Sequence, residues 1–146
     1  MKVKLLGLAA VAVLVMAAPS LGGGVPITAK VLSYGSMQAT TIHTKAGAMV
    51  LNAITVQPGG SFGWHTHGAP VAVVVKSGTL TVFDPSVDGC RPFKVSKGKA
   101  FVEPAGHVHL ARNDTKSPVT VYAMYLGLPK NAAANAPASE PDGCNA

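Results

Sequence analysis

The sequence predicts an all-β fold for the chain beyond residue 24. Helical periodicity is nearly absent there, and short runs of β-favouring residues recur instead. Clusters of Gly, Pro, Asn and Asp separate these runs, as turns separate strands. Many short strands at such spacing are typical of a β-sandwich or a β-barrel. Strands are predicted at residues 27–34, 37–44, 48–57, 71–76, 79–84, 93–96, 100–103, 107–113 and 119–126.

Residues 1–24, which precede these strands, are predicted to be a secretory signal peptide. Lys2 and Lys4 give a positively charged start, and residues 5–18 are an apolar stretch too short for an ordinary transmembrane helix. Small residues and turn formers follow. The alternative is an uncleaved N-terminal anchor. The signal-peptide interpretation predicts a secreted, periplasmic or cell-envelope protein that has no membrane attachment after cleavage.

The mature chain is expected to form one domain, because roughly 120 residues suffice for a single core. Removing Lys2 and Lys4 lowers the formal net charge from +6 to +4. The remaining basic residues are scattered, and few aromatic residues lie among them. Nucleic-acid binding is therefore not expected. One predicted strand, residues 71–75, is apolar on both faces, which indicates a central strand or a strand at a dimer interface.

The two cysteines left after export, Cys90 and Cys144, predict one disulfide in an oxidising compartment. The alternative is a pair of free or intermolecular thiols. Residues 25–129 are predicted to form the β-domain. Residues 130–146 are rich in Ala, Asn and Pro and lack periodicity, which predicts a disordered tail unless Cys144 ties it down.

Four of the five histidines lie in two short segments, His65-Thr66-His67 and Gly106-His107-Val108-His109. Residues two apart on a strand point to the same face, so His65 and His67 are expected to do so. His109 would complete a set of three imidazoles if its strand lies opposite. Three converging imidazoles can hold Zn, Fe, Cu, Ni or Mn and leave positions open. The sequence therefore predicts one divalent metal ion, of open identity, bound by His65, His67 and His109.

The first of these segments resembles the first signature motif of the cupin superfamily, G-x5-H-x-H-x3,4-E-x6-G. The chain has Gly59, His65, His67 and Gly78 at the matching positions. Val71 stands where the family has its glutamate.

The second segment resembles the second cupin motif, G-x5-P-x-G-x2-H-x3-N. Every position matches, with Gly98, Pro104, Gly106, His109 and Asn113. Together the two motifs imply a jelly-roll barrel, a double-stranded β-helix, with the metal held inside it. A homodimer is expected from the same resemblance.

The resemblance also implies that His65, His67 and His109 are the metal ligands, whereas valine at position 71 cannot coordinate a metal. If the offset is one residue longer, the position is Ala72, which cannot coordinate either. A neutral three-histidine site is then left, similar to that of the thiol dioxygenase branch of the cupins.

Glu103 is the only carboxylate inside either motif. If it points inward, it is a replacement ligand, a partner of a histidine or a general base; if it points outward, it is a surface charge. Tyr122 is a second candidate for proton handling. Tyr122 and Tyr125 lie on opposite faces of the last predicted strand, so at most one enters the barrel. His43 and His107 are expected to lie outside the ligand set.

Three functions are compatible with these residues. The first is a metal-dependent oxygenase or dioxygenase that acts on a small molecule, with Glu103 or Tyr122 handling protons. The second is a cyclase, isomerase or lyase that uses the metal as a Lewis acid. The third is a binding protein for a metal or a small ligand without catalysis. Fold resemblance alone does not choose among them.

Overall fold

The computed structural model describes residues 27–146, and the expected signal peptide lies outside this range. Residues 31–146 form one compact unit, separate from the chain up to Lys30. Of the chain up to Lys30 only residues 27–30 are described, and they are exposed and without regular secondary structure. Among residues 27–146, no helix is long and apolar enough to cross a membrane.

The compact unit is built almost entirely from antiparallel strands. A single 3₁₀ turn (Asp88–Cys90) interrupts the strands of the described chain. The strands are β1 (Ala48–Val56), β2 (His65–Thr66), β3 (Val71–Ser77), β4 (Thr79–Phe83), β5 (Phe93–Ser96), β6 (Ala100–Glu103), β7 (Leu110–Arg112), β8 (Val119–Leu128) and β9 (Ala136–Pro137). The prediction of an all-β fold is confirmed.

A four-stranded sheet, in the order β1-β8-β3-β6, forms one side of the domain. Its two central strands, β8 and β3, alternate buried and partly exposed residues, as a sheet does when one face lies on a core. Val71, Val73 and Val75 of β3 point inward, and the odd-numbered residues of β8 from Val119 to Tyr125 do the same. The valine run is thus a central strand of this sheet.

A three-stranded sheet, in the order β5-β4-β7, forms the other side. Isolated bridges from Ser61 to Arg112 and from His65 to His109 extend it towards the short β2–β9 pair. Inward-facing residues of both sides make one apolar core, in which each fully buried valine contributes about 1.5–3 kcal/mol. The core residues at or below 4 % exposure include Val71, Val75, Leu80, Val82, Ala111, Val119 and Val121.

Glycine shapes the tight connection between β3 and β4. Gly78 has a φ of +78°, in the left-handed region that favours glycine. A Cβ at this position would lie 2.8 Å from Cγ2 of the buried Val119. This motif glycine therefore allows the chain to pass from one sheet to the other.

The last position of the second motif, Asn113, ties together the end of the barrel. Its side chain is fully buried, and its Nδ2 donates to the carbonyls of Val56, at 2.9 Å, and Ser117, at 2.8 Å. Its Oδ1 accepts from the backbone and hydroxyl of Thr115. Asn113 is satisfied in this way by structural contacts alone.

Two predicted strands are absent. Residues 27–34 form no strand, and residues 37–44 form none either; the bridge between Ser36 and Lys99 is the pairing that this part of the chain makes within the described residues. Most of residues 27–47 are exposed. The β-favouring side chains there lack the buried partner surface that normally stabilises a strand.

The C-terminal segment differs from the predicted disordered tail, because the condition attached to that prediction is met. Cys144 is disulfide-bonded to Cys90, as the cysteine pair predicts, and both residues are buried. The segment also contains β9, which pairs with β2. Both connections give residues 130–146 fixed partners that their composition alone does not provide.

Candidate metal centre

Three histidines converge inside the domain, in the arrangement that the motifs predict. His65 and His109 are direct partners across a bridge, in which each backbone N–H donates to the other's carbonyl at 3.0 Å. Residues directly opposite each other point to the same face, so both rings enter the core. His67 follows two residues after His65 and also points inward. One ligand atom from each histidine lies within 4.8 Å of those from the other two.

Backbone carbonyls orient all three rings. Nδ1 of His65 lies 2.9 Å from the carbonyl of Gly63, and Nδ1 of His109 lies 3.1 Å from that of His107. Nδ1 of His67 lies 2.9 Å from the carbonyl of Ala134. A ring that donates from Nδ1 keeps its Nε2 available as a ligand. The three Nε2 atoms are thereby directed towards one point.

Glu103 faces this point from the opposite sheet. It is the last residue of β6, and its carboxylate Oε2 lies 3.1 Å from Nε2 of His67. Oε1 lies 3.2 Å from Nε2 of His109. The side chain is 12 % exposed, which decides between the two predicted orientations: the carboxylate points inward.

The carboxylate and the histidines perturb each other electrostatically. Burial raises the pKa of Glu103, but the adjacent His109 and His67 outweigh it and hold the pKa at about 2. Burial lowers the pKa of His109, but the Glu103 carboxylate reverses this effect and leaves that pKa raised. Burial lowers the pKa of His65, which keeps this ring in the neutral form that ligates metals.

One further observation indicates that this donor set fits a metal ion. Nε2 of His109 is buried and makes no well-aligned hydrogen bond within residues 27–146, although Oε1 of Glu103 lies 3.2 Å from it. Such an atom is costly to bury, and a cation among the three rings would satisfy it. Three imidazoles and a carboxylate form a mixed N,O set of the kind that Fe, Mn, Zn, Ni and Cu accept.

The sequence match and the geometry agree on the family. A family model described as "Cupin domain" matches residues 52–125, half of the chain. The chain belongs to the cupin family. No curated protein matches its sequence.

Solved structures resemble this cupin at the level of the fold. A double-stranded β-helix protein from Klebsiella pneumoniae superposes with a TM-score of 0.52 at 20 % identity, covering 68 % of this chain and 77 % of that one. The DMSP lyase DddQ from Ruegeria pomeroyi superposes with a TM-score of 0.52 at 17 % identity, covering 63 % of this chain and 44 % of the lyase. Oxalate decarboxylase from Bacillus subtilis, described with Mn(II) centres, superposes with a TM-score of 0.53 at 19 % identity. The match covers 62 % of this chain and 24 % of the decarboxylase. This cupin therefore spans less than half of the lyase and about a quarter of the decarboxylase.

In this cupin a carboxylate lies opposite the position where the family motif has one. Val71, at the motif's glutamate position, is the direct cross-strand partner of Glu103. Directly opposed residues in an antiparallel pair have their Cβ atoms about 4.5–5.5 Å apart and point to the same face. Glu103 thus presents its carboxylate to the same space from the neighbouring strand. The sequence signal was present, since Glu103 lies within the second motif, but the pairing of β3 with β6 is needed to interpret it.

Tyr122, the tyrosine predicted to handle protons at the metal, does not face the site. Tyr125 faces it instead. Tyr122 points away from the core, and its hydroxyl accepts a hydrogen bond from Nζ of Lys76 at 3.0 Å. Tyr125 is 3 % exposed, and its ring packs edge-on against His67 at 5.5 Å between centroids. Burial and the nearby Glu103 carboxylate raise the pKa of Tyr125. The alternation along β8 identifies Tyr125 as the inward-facing residue, because it follows Val121 and Ala123 at intervals of two.

The other two histidines lie outside the site. His43 and His107 are exposed, which agrees with the prediction that they are not ligands. The cavity beside the three ligand rings is small, about 30 Å³, and is mainly lined by apolar side chains such as Phe62, Phe101 and Val121. A volume of this size holds one water-sized occupant. Asn135, from the C-terminal segment, also lines it.

Proposed function

We propose that this cupin holds one divalent transition-metal ion through His65, His67, His109 and Glu103 and acts with it on a small molecule in an oxygenase-type reaction. The observation that carries the proposal is the convergence of three Nε2 atoms and a buried carboxylate on one point. A redox-active ion in such a site would supply a route for electrons between a substrate and dioxygen.

The protein's own residues would contribute orientation, charge and the exclusion of water. The three carbonyl contacts hold the rings with Nε2 inward. Glu103 adds one negative charge, which partly neutralises a divalent cation and moderates its attraction for anionic substrates. The hydroxyl of Tyr125, which donates to Oδ1 of Asn135 at 3.1 Å, is the polar group placed to hold or pass on a proton at the edge of the cavity.

A second candidate function is metal binding without catalysis. The small cavity favours it, because about 30 Å³ beside the rings suits an ion with a water-sized ligand better than it suits a larger substrate. In that case the protein would sequester or carry the ion.

The disulfide between Cys90 and Cys144 supports export of the protein. Disulfides persist in oxidising compartments and are rare in the cytosol. We therefore propose that the chain acts outside the cytoplasm.

One series of measurements tests these proposals. The mature protein is purified without chelator, and its metals are quantified by elemental analysis. Samples reconstituted anaerobically with Fe(II), Mn(II) or Zn(II) are then assayed for oxygen consumption with thiols, flavonols, catechols and oxalate. Fe- or Mn-dependent oxygen uptake supports the oxygenase. Tight stoichiometric binding without turnover of any compound supports the binding protein. Failure of every metal to bind contradicts both.

A further inference from the structure

The ring of His67 is oriented differently from the other two ligand rings. His65 and His109 each contact the carbonyl of the residue two positions earlier in their own segment. His67 instead contacts the carbonyl of Ala134, 67 positions away in sequence. Ala134 lies beyond the part of the chain that matches the cupin domain, residues 52–125. One of the three ligands therefore depends on a segment that the family pattern does not include.

Hydrogen bonds hold this segment in place immediately after Ala134. Asn135 accepts a hydrogen bond from the hydroxyl of Tyr125 at 3.1 Å. β9 pairs with β2, the strand on which His65 lies. The N–H of Ala138 donates to the carbonyl of Trp64 at 2.9 Å.

The disulfide holds the far end of the segment. Cys90 and Cys144 are 6 % and 7 % exposed and pack with Phe83 and Leu110 in a small apolar cluster of their own, against which Trp64 also packs. The chain from Ala134 to Cys144 is thus attached to the barrel at both ends. A segment that has few apolar contacts of its own is ordered in this way by its attachments.

We infer that residues 132–138 are a positioning segment of the metal centre, in which the carbonyl of Ala134 fixes the ring and tautomer of His67. The inference rests on the proposed metal binding at the three histidines. A neutral imidazole can carry its proton on either nitrogen, and acceptance from Nδ1 selects the tautomer whose Nε2 lone pair faces the site. Losing such an outer contact typically weakens metal binding about 10- to 100-fold.

The test compares two shortened chains that both lack the disulfide. Both carry Cys90→Ser; one ends at Asp142 and keeps residues 132–138, and the other ends at Asn131 and loses them. The first is the matched control, because it differs from the second only in the presence of residues 132–142. Zn(II) affinity is measured by chelator competition, and the Nδ1–H signals of the histidines are followed in long-range ¹H–¹⁵N spectra.

We expect the chain that ends at Asn131 to bind Zn(II) at least about tenfold more weakly than the chain that ends at Asp142. Its His67 Nδ1–H signal should disappear or exchange rapidly, while the signals of His65 and His109 persist. A merely structural role of the segment would shift all three signals or none. Equal affinities of two folded chains, with the His67 signal retained, would overturn the inference.

Two full-length variants provide a second test in case the shorter chain does not fold. Ala138→Pro removes the N–H that donates to Trp64, and Ser139→Pro, one residue further on, is its control. Weaker Zn(II) binding and a perturbed His67 signal in Ala138→Pro alone support the inference, and identical behaviour of the two variants contradicts it. If the intact chain itself binds no Zn(II), the proposed function fails first and the inference falls with it. If the intact chain binds Zn(II) and all variants equal it, only the inference fails.

Discussion

The two sides of the barrel contribute different chemistry to the same site. The side that contains β2 and β7 provides three imidazole nitrogens that could hold a metal, those of His65, His67 and His109. The four-stranded sheet provides the oxygen groups, the carboxylate of Glu103 and the hydroxyl of Tyr125. The site therefore exists only where the two sides face each other.

The positions of the nitrogen groups and of the oxygen groups also depend on different features of the chain. The nitrogens follow from a spacing of two within one short segment and from a single bridge to the second motif. The oxygens follow from cross-strand register, because Glu103 and Tyr125 are both paired with Val71, one on each side of β3. Three adjacent strands thus place a valine, a carboxylate and a phenol in one row facing the histidines.

The largest expected effect comes from removing two nitrogens. His65→Ala/His67→Ala should reduce the bound metal from about one equivalent to none, because one imidazole and one carboxylate do not make a stable site for these ions. Elemental analysis after dialysis measures this loss. His43→Ala, which changes an exposed histidine, is the control and should keep its metal. Retention of one equivalent by the double variant would contradict the assignment of the ligands.

Removing the charged oxygen should have a smaller effect. Glu103→Gln keeps the size of the side chain but removes the negative charge, and we expect metal affinity to fall about 10- to 100-fold. Competition with a chelator measures the change. Glu140→Gln, whose carboxylate contacts only the backbone near the chain end, should bind as the wild type does. An unchanged affinity in Glu103→Gln would show that the carboxylate is not a ligand.

Moving the carboxylate from β6 to β3 tests whether positions 103 and 71 face the same space. Val71→Glu/Glu103→Val places the glutamate at the family's usual position. We expect this double variant to bind metal about tenfold more tightly than Glu103→Val alone, since the two positions face the same space. The comparison uses the same chelator competition, with thermal unfolding to establish that both variants fold. Equal affinities of the two variants would mean that the positions are not interchangeable.

The smallest effects are expected from the two tyrosines, which lie on opposite faces of β8. Tyr125→Phe removes the hydrogen bond to Asn135 and should lower the free energy of unfolding by about 1 kcal/mol. Tyr122→Phe removes only an exposed contact with Lys76 and should change it by less than about 0.5 kcal/mol. Urea denaturation of the metal-free proteins measures both values. A larger loss for Tyr122→Phe would contradict the inward and outward assignment.

The main strands and the three converging histidines could be predicted from the sequence because both depend on local spacing. The alternation of residues along β1, β3, β4 and β8 and the turn residues between them predict strands close to those observed. The residues before β1 show where prediction of strands from the sequence pattern fails. They have strand-like composition, yet residues 27–34 and 37–44 find no continuous partner, and pairing rather than propensity decides whether a strand forms.

Sequence reasoning was least reliable for residues that act at the site from a distance. Glu103 was a candidate with an open orientation, and Tyr122 was favoured over Tyr125. The contact between Ala134 and His67 has no sequence signal at all, because it is made by a backbone carbonyl that every residue possesses. The short β2 and β9 strands were missed for a related reason, since two-residue pairs are too short to show a period.

The amino-acid order alone predicted an all-β fold, three histidines that converge and a disulfide, because each depends on composition or on short, regular spacing. The resemblance to the cupin motifs added the family. Only the folded structure brought Glu103 opposite Val71, turned Tyr125 rather than Tyr122 inward and laid the C-terminal segment against His67. These contacts join residues that are far apart in sequence. Strand register sets their geometry, and register leaves no pattern of its own along the chain.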